Sequence, residues 1–222
     1  MNPIVKYFGY GKSILRVSPI FLNRLIFDGH IAEKRPAVYN TGASENVYAF
    51  FGEADHIIDH LYLGSGYHAS NWEWLTHHNI GYVVNAATEV NCFFPDDLEY
   101  LPVTPIRDNG EDLFENLENI IDRIYQIKLE ETVEKEDLEE TVEKEDLDTK
   151  DTEDVEKECL YKKNILIHCL VGRSRSVTII IAYLMKYHHM TADDALKYIV
   201  NKRKYANPSV KLMDSLRNFQ WR

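Results

Sequence analysis

The segment Cys169-Leu170-Val171-Gly172-Arg173-Ser174-Arg175-Ser176 sets a nucleophilic thiol and a permanent cation at a fixed spacing, with a glycine between them. Ahead of it, Asn164 to His168 reads as a buried strand. Behind it, from Arg175, the apolar residues recur at helical spacing. A tight loop between a strand end and a helix start turns its backbone N–H groups toward one point, at the positive end of the helix dipole. Such a loop is an anion cradle. A cysteine at its base has its thiolate stabilised by the same donors, which lowers a pKa of about 8.5 and makes the sulfur nucleophilic near neutral pH. Arg175 adds a planar fork for two oxygens of a phosphate, and Gly172 lets the chain turn without a side chain crowding the anion. Thiol, cradle and fork together describe a site for phosphate transfer.

The order His168-Cys169, two residues, Gly172, one residue, Ser174-Arg175-Ser176 resembles the signature of the dual-specificity branch of the cysteine-dependent protein tyrosine phosphatases. The resemblance extends to "LYLGS" at Leu61–Ser65, "GYVVNAA" at Gly81–Ala87 and "RKYANPSVKLMDSL" at Arg203–Leu216, and so covers roughly residues 53–220. It implies that Cys169 is the nucleophile, Arg175 the phosphate-binding arginine, and Ser176 the hydroxyl that helps the thiolate leave in the second step. Leu170, Val171, Gly172, Arg173 and Ser174 form the substrate-binding loop, and His168 braces it. The resemblance also implies a proton donor on a loop after the strand that ends near "TPI". Asp108 is the candidate, with Asp96, Asp97 and Asp112 as alternatives. It further implies chemistry without a cofactor or metal, on phosphorylated proteins. Two alternatives stay open: the same chemistry on a phosphoinositide or an RNA 5′ end, and a phosphopeptide-binding module without turnover. No nucleic-acid partner is expected.

The elements that must hold this site alternate along the chain. "HIIDHLYLG" reads as a short strand pair, "SNWEWLTHHN" as a helix opened by Ser70 or Asn71, and "IGYVVNAA" and "EYLPVTPI" as strands. "DLFENLENIIDRIYQI" is helical, and "NILIHC" is a central strand. Three helices close the chain: Arg175 to about His188, Thr191 to Lys202, and one with Pro208 in its first turn running to the end. The alternation predicts a single α/β domain with a central, largely parallel sheet flanked by helices.

At 222 residues the chain has the size of one domain with appendages. Its net charge of −11 is local: residues 129–158 hold 16 acidic residues and 4 lysines, net −12, which leaves +1 for the remainder. Within that segment "LEETVEKED" occurs twice, at 129–137 and 138–146. Nine residues are two and a half helical turns, so the apolar positions of the two copies face opposite ways and form no stripe for docking. Residues 129–160 are therefore expected to be a charged insertion in a catalytic domain spanning 46–222, with 1–45 an N-terminal extension.

No apolar run approaches the roughly 18 residues of a membrane span. The three cysteines, Cys92, Cys159 and Cys169, have no metal-ligand spacing, and the histidine pairs His56/His60, His77/His78 and His188/His189 lack completing ligands. A soluble monomer of a reducing compartment, cytoplasmic or nuclear, is expected. The basic, acid-poor start makes a mitochondrial address the lesser alternative. "GKS" at Gly11–Ser13 lacks the earlier glycine of a nucleotide-binding loop, because Lys6 stands there.

Overall fold

The computed structural model describes residues 7–8, 15–16, 42–104, 106–107, 117–142, 163–219 and 221. Asn164–Cys169 (β7) is the middle strand of a five-stranded sheet. Leu61–Ser65 (β4) and Ile80–Asn85 (β5) flank it in parallel. Glu99–Tyr100 (β6) pairs in parallel with β5 at one edge, and Asp55–Ile58 (β3) pairs antiparallel with β4 at the other. Tyr7–Phe8 (β1) and Leu15–Arg16 (β2) form a separate antiparallel pair.

Period-two alternation decides the layering. Ile165 and Ile167 of β7 pack with Leu61, Leu63 and Val84, whereas Leu166 packs on the other face with Leu75, Ile80 and Val83. On the first face lie helices Leu117–Val142 (α4), Arg175–Tyr187 (α5), Ala192–Lys202 (α6) and Val210–Arg217 (α7). On the second lie the short helices Gly66–Ala69 (α2) and Trp72–His77 (α3). Gly42–Phe51 (α1) adds buried Ala49 and Phe50. The α/β class and the largely parallel central sheet agree with the sequence expectation. Among the described residues no helix is long and apolar enough to cross a membrane.

Local chemistry accounts for the differences. The strand expected at "EYLPVTPI" is two residues long. Leu101 N–H still bonds to Val83 O at 2.9 Å, but Pro102 has no N–H with which to continue the ladder. α2 was not anticipated; it forms on a reciprocal cap in which Ser65 and His68 satisfy each other's backbone donors. Of the two openers expected for α3, Asn71 is the cap, whereas the last helix is capped by Ser209, with Pro208 outside it. That helix also stops at Arg217. α1 spans the boundary set at residue 46.

α4 continues past its apolar stripe, which ends at Ile127, through the first repeat and on to Val142. Glu and Lys are good helix formers, and Glu131–Lys135 is a well-oriented i, i+4 pair in the sequence. Lys128 Nζ donates to Asp59 Oδ2 at 2.7 Å, in the turn just before β4 begins. β4 and β7 both end at the Ser65–Cys169 pair. Lys128 thus marks the end of the sheet opposite Cys169.

Candidate active site

β7 delivers Cys169 as its last residue, and α5 begins six positions later. Between them the chain folds back on the sulfur: Gly172 N–H and Ser176 Oγ each lie 3.3 Å from Cys169 Sγ. The fold-back needs glycine. Gly172 has φ +74°, and a Cβ there would stand 2.4 Å from Gly64 O and 2.9 Å from Arg203 Nη2. The N-cap residue of α5, Ser174, makes no side-chain cap; its Oγ instead accepts from Ser209 N–H at 3.3 Å. The Ser174 side chain thus caps no first-turn donor of α5, and the Ser176 N–H is directed at Cys169.

Burial, the largest influence, pushes the Cys169 thiol up. Arg175, the Ser176 hydroxyl and the N–H groups of Ser176 and Gly172 together outweigh it, and the thiol is held below its ordinary value. His168 is fully buried, and burial pushes it down to about 4, so at neutral pH it is uncharged. Its Nδ1 lies 3.4 Å from Cys169 O, and its own carbonyl accepts from Ala86 N–H at 2.9 Å. These contacts suit a brace rather than a proton carrier.

The expected loop residues divide by what they touch. Leu170 is buried, and its carbonyl accepts from Gly66 N–H at 3.2 Å; Val171 packs against the larger apolar cluster. Arg173 sends its guanidinium sideways, to Tyr205 O at 3.0 Å and to Asn46 Oδ1 of α1 at 2.5 Å. Its carbonyl accepts from Asn207 N–H at 2.7 Å. Arg175 forms a two-pronged pair with Glu89, Nη1 to Oε2 at 2.9 Å and Nη2 to Oε1 at 2.5 Å.

Two residues of this site escaped the sequence reading: Glu89, and Arg203, which is buried behind the loop and donates to Gly172 O at 2.8 Å. The only local signal for Arg203 was its place in "RKYANP". For Glu89 there was none.

Asp108 and Asp112 lie outside the described residues. Asp96 and Asp97 are exposed in the turn that precedes β6. Because β6 runs parallel to β5 and β7, that turn is at the strand starts, away from Cys169, and the chain leaves β6 toward the Cys169 end. Ile106, on that outgoing segment, is buried. Among the described residues no group of three or more His, Cys, Asp or Glu side chains is placed to hold a metal ion.

A family model for the dual specificity phosphatase catalytic domain matches residues 61–222. The chain is 29% identical over 160 residues to dual specificity protein phosphatase 1 of Arabidopsis thaliana, covering 72% of this chain and 65% of that protein. It is 30% identical over 167 residues to human dual specificity protein phosphatase 8, covering 74% of this chain and 21% of that one. The matched region is thus less than two thirds of either relative. The crystal structure of DUSP15 superposes with a TM-score of 0.57 at 22% identity, over 76% of this chain and 87% of that one, which shows a shared fold. Matched over most of its length, with Cys169, Gly172 and Arg175 arranged around one loop, the chain belongs to the dual specificity phosphatase catalytic domain family.

Proposed function

We propose that this protein is a phosphatase that hydrolyses phosphotyrosine and phosphoserine or phosphothreonine in proteins through a cysteinyl-phosphate intermediate. One observation carries the proposal: the Cys169 sulfur sits where the Gly172 N–H, the Ser176 hydroxyl and the start of α5 converge, with its thiol held below the ordinary range. In the first step the thiolate attacks phosphorus and the ester P–O bond breaks. The leaving oxygen takes a proton, which we assign to Asp108 because the chain leaves β6 toward the Cys169 end. In the second step water attacks phosphorus, the S–P bond breaks to a thiolate that Ser176 stabilises, and inorganic phosphate leaves with the water oxygen. Asp108, now ionised, takes the water's proton. Arg175 holds the equatorial oxygens, and Leu170 to Ser174 supply backbone donors. No step requires a metal or cofactor.

Two observations favour a protein substrate and turnover. Arg173, the loop cation that keeps a phosphoinositide reading open, bonds to Tyr205 and Asn46 instead. The chain keeps both Cys169 and Arg175, the thiol and the cation that turnover would use, which supports an enzyme over a module that only binds. A thiolate nucleophile needs a reducing environment, so we place the protein in the cytoplasm or nucleus. We treat 46–222 as the catalytic unit and 129–160 as its insertion, which leaves from the end of the sheet opposite Cys169.

Cys169→Ser should abolish turnover of p-nitrophenyl phosphate while retaining phosphopeptide binding. Residual activity above about a hundredth of the parent's would contradict the covalent route. Activity toward phosphotyrosine and phosphoserine peptides, set against phosphoinositides and triphosphorylated RNA, identifies the substrate class.

A further inference from the structure

The peptide after β5 is built to hold one carboxylate against the phosphate-binding arginine. Asn85, the last residue of β5, ties the turn that follows: its Oδ1 accepts from Ala87 N–H at 3.1 Å and its Nδ2 donates to Val90 O at 2.7 Å. Ala86 N–H is fixed to His168 O at 2.9 Å, which couples this turn to β7 immediately before the nucleophile. Val90 is buried and lies so close to Gly66 that a Cβ added there would stand 3.1 Å from Val90 Cγ1. Downstream, the Tyr100 hydroxyl holds Phe93 at both ends, accepting from its N–H at 2.8 Å and donating to its carbonyl at 2.5 Å. The residue presented between these anchors is Glu89. Thr88 Oγ1 donates to its Oε2 at 3.4 Å, and both its oxygens accept from Arg175.

The pair has side-chain exposures of 13% for Arg175 and 28% for Glu89, so solvent screens it less than an ordinary surface pair. It engages the two terminal nitrogens end-on. A guanidinium has a second fork, formed by Nε–H and one terminal N–H, at an angle fixed by the planar group. Gripping the first fork therefore sets the direction of the second. From this we infer that Glu89 is a positioning residue for oxyanion binding: it holds Arg175 so that its side fork faces the anion in the Cys169 loop. The inference rests on the proposed phosphate site and adds a residue to it.

Charge alone predicts the opposite of positioning. A carboxylate near a bound dianion repels it, so neutralising Glu89 should tighten binding if charge governs. If positioning governs, binding loosens. The test is calorimetric titration of the full chain with tungstate, a phosphate-shaped oxyanion, which needs no turnover. Glu89→Gln should weaken tungstate binding about tenfold in the parent background and less than twofold in an Arg175→Ala background, because the effect passes through the arginine. Glu89→Asp keeps the charge but shortens the reach, and should also weaken binding. It serves as the second variant should Glu89→Gln lower the melting temperature. Unchanged or tighter binding in Glu89→Gln, or an equal loss with and without Arg175, overturns the assignment. A parent that shows these couplings yet hydrolyses no phosphoester would sink the phosphatase reading and leave Glu89 standing; a parent that binds no oxyanion overturns both.

Discussion

Removing Arg203 should cost both stability and thiol reactivity, because one guanidinium serves three parts of the fold. Arg203 is 2% exposed at the end of α6. Its Nε donates to Gly172 O at 2.8 Å, its Nη1 to Glu53 O at 3.0 Å and Asp55 Oδ2 at 2.6 Å, and its Nη2 to Ala49 O at 2.6 Å and, more weakly, to Val171 O at 3.5 Å. The trans peptide between Val171 and Gly172 is thereby gripped from both sides, its carbonyl by Arg203 and its N–H by the Cys169 sulfur. Arg203→Met fills similar volume but strips donors from buried carbonyls and leaves Asp55 without its cation. Burial already pushes the Asp55 carboxyl up, and Arg203 is what opposes that. Breaking a buried pair and orphaning several acceptors costs about 3–5 kcal/mol. For a domain of this size that lowers the melting temperature by roughly 6–20 °C. Arg203→Lys keeps the charge but concentrates three donors at one point, and should recover less than half of the loss. Urea unfolding gives the stability, and the rate of Cys169 alkylation by iodoacetamide at pH 7 reports the loop. A variant within about 1 kcal/mol of the parent, alkylated at the parent rate, would refute this account of how the loop is held.

Gly172→Ala should destabilise the fold by at least 2 kcal/mol, or about that, since a Cβ at φ +74° meets the backbone of Gly64, which cannot step aside; wild-type stability would mean the loop relaxes. The alkylation rate of Cys169 should rise with pH through a midpoint below that of a free thiol, and Ser176→Ala should move it upward, whereas an unmoved midpoint would remove Ser176 from thiolate stabilisation. Burial pushes His68 and His168 down to about 3 and about 4, against an ordinary 6.5. Between pH 6.5 and 4 the unfolded chain therefore binds protons that the folded chain refuses, and stability falls as pH is lowered through that window. At pH 5 each costs roughly 2 kcal/mol, so His68→Gln should shrink the stability difference between pH 7 and pH 5 by about that amount; an unchanged difference would show that His68 is not buried neutral.

What could be read in advance, and what could not, follows from how far apart interacting residues lie in the chain. That Cys169, Gly172 and Ser176 come together was legible because they stand within one short contiguous loop, and β7 because alternate residues feed the two apolar layers. α1 was missed, since "GASENVYAFF" has no continuous apolar stripe and its identity depends on what Ala49 and Phe50 pack against. The extent of α4 was underestimated for a different reason. The absence of a stripe in the repeat argues against docking, but helix formation also draws on propensity and i, i+4 pairing, and a helix already nucleated on Leu117–Ile127 can continue into such residues without a surface to rest on.

Glu89 and Arg203 were the harder omissions. In the sequence, Arg203 sits among Lys202 and Lys204 as one of several cations, and Glu89 looks like any acid in a turn. Their partners lie 31 and 86 positions away, in Gly172 and Arg175. Both act on the same short loop from outside it: one aims the backbone that stabilises the thiolate, the other the guanidinium assigned to phosphate. A motif records the groups that touch an anion, whereas the groups that fix their direction can stand anywhere the fold brings them near. If the proposed phosphate site is right, a Cys-to-Arg signature without those two supports would place the same functional groups in the loop without the orientation that oxyanion binding requires.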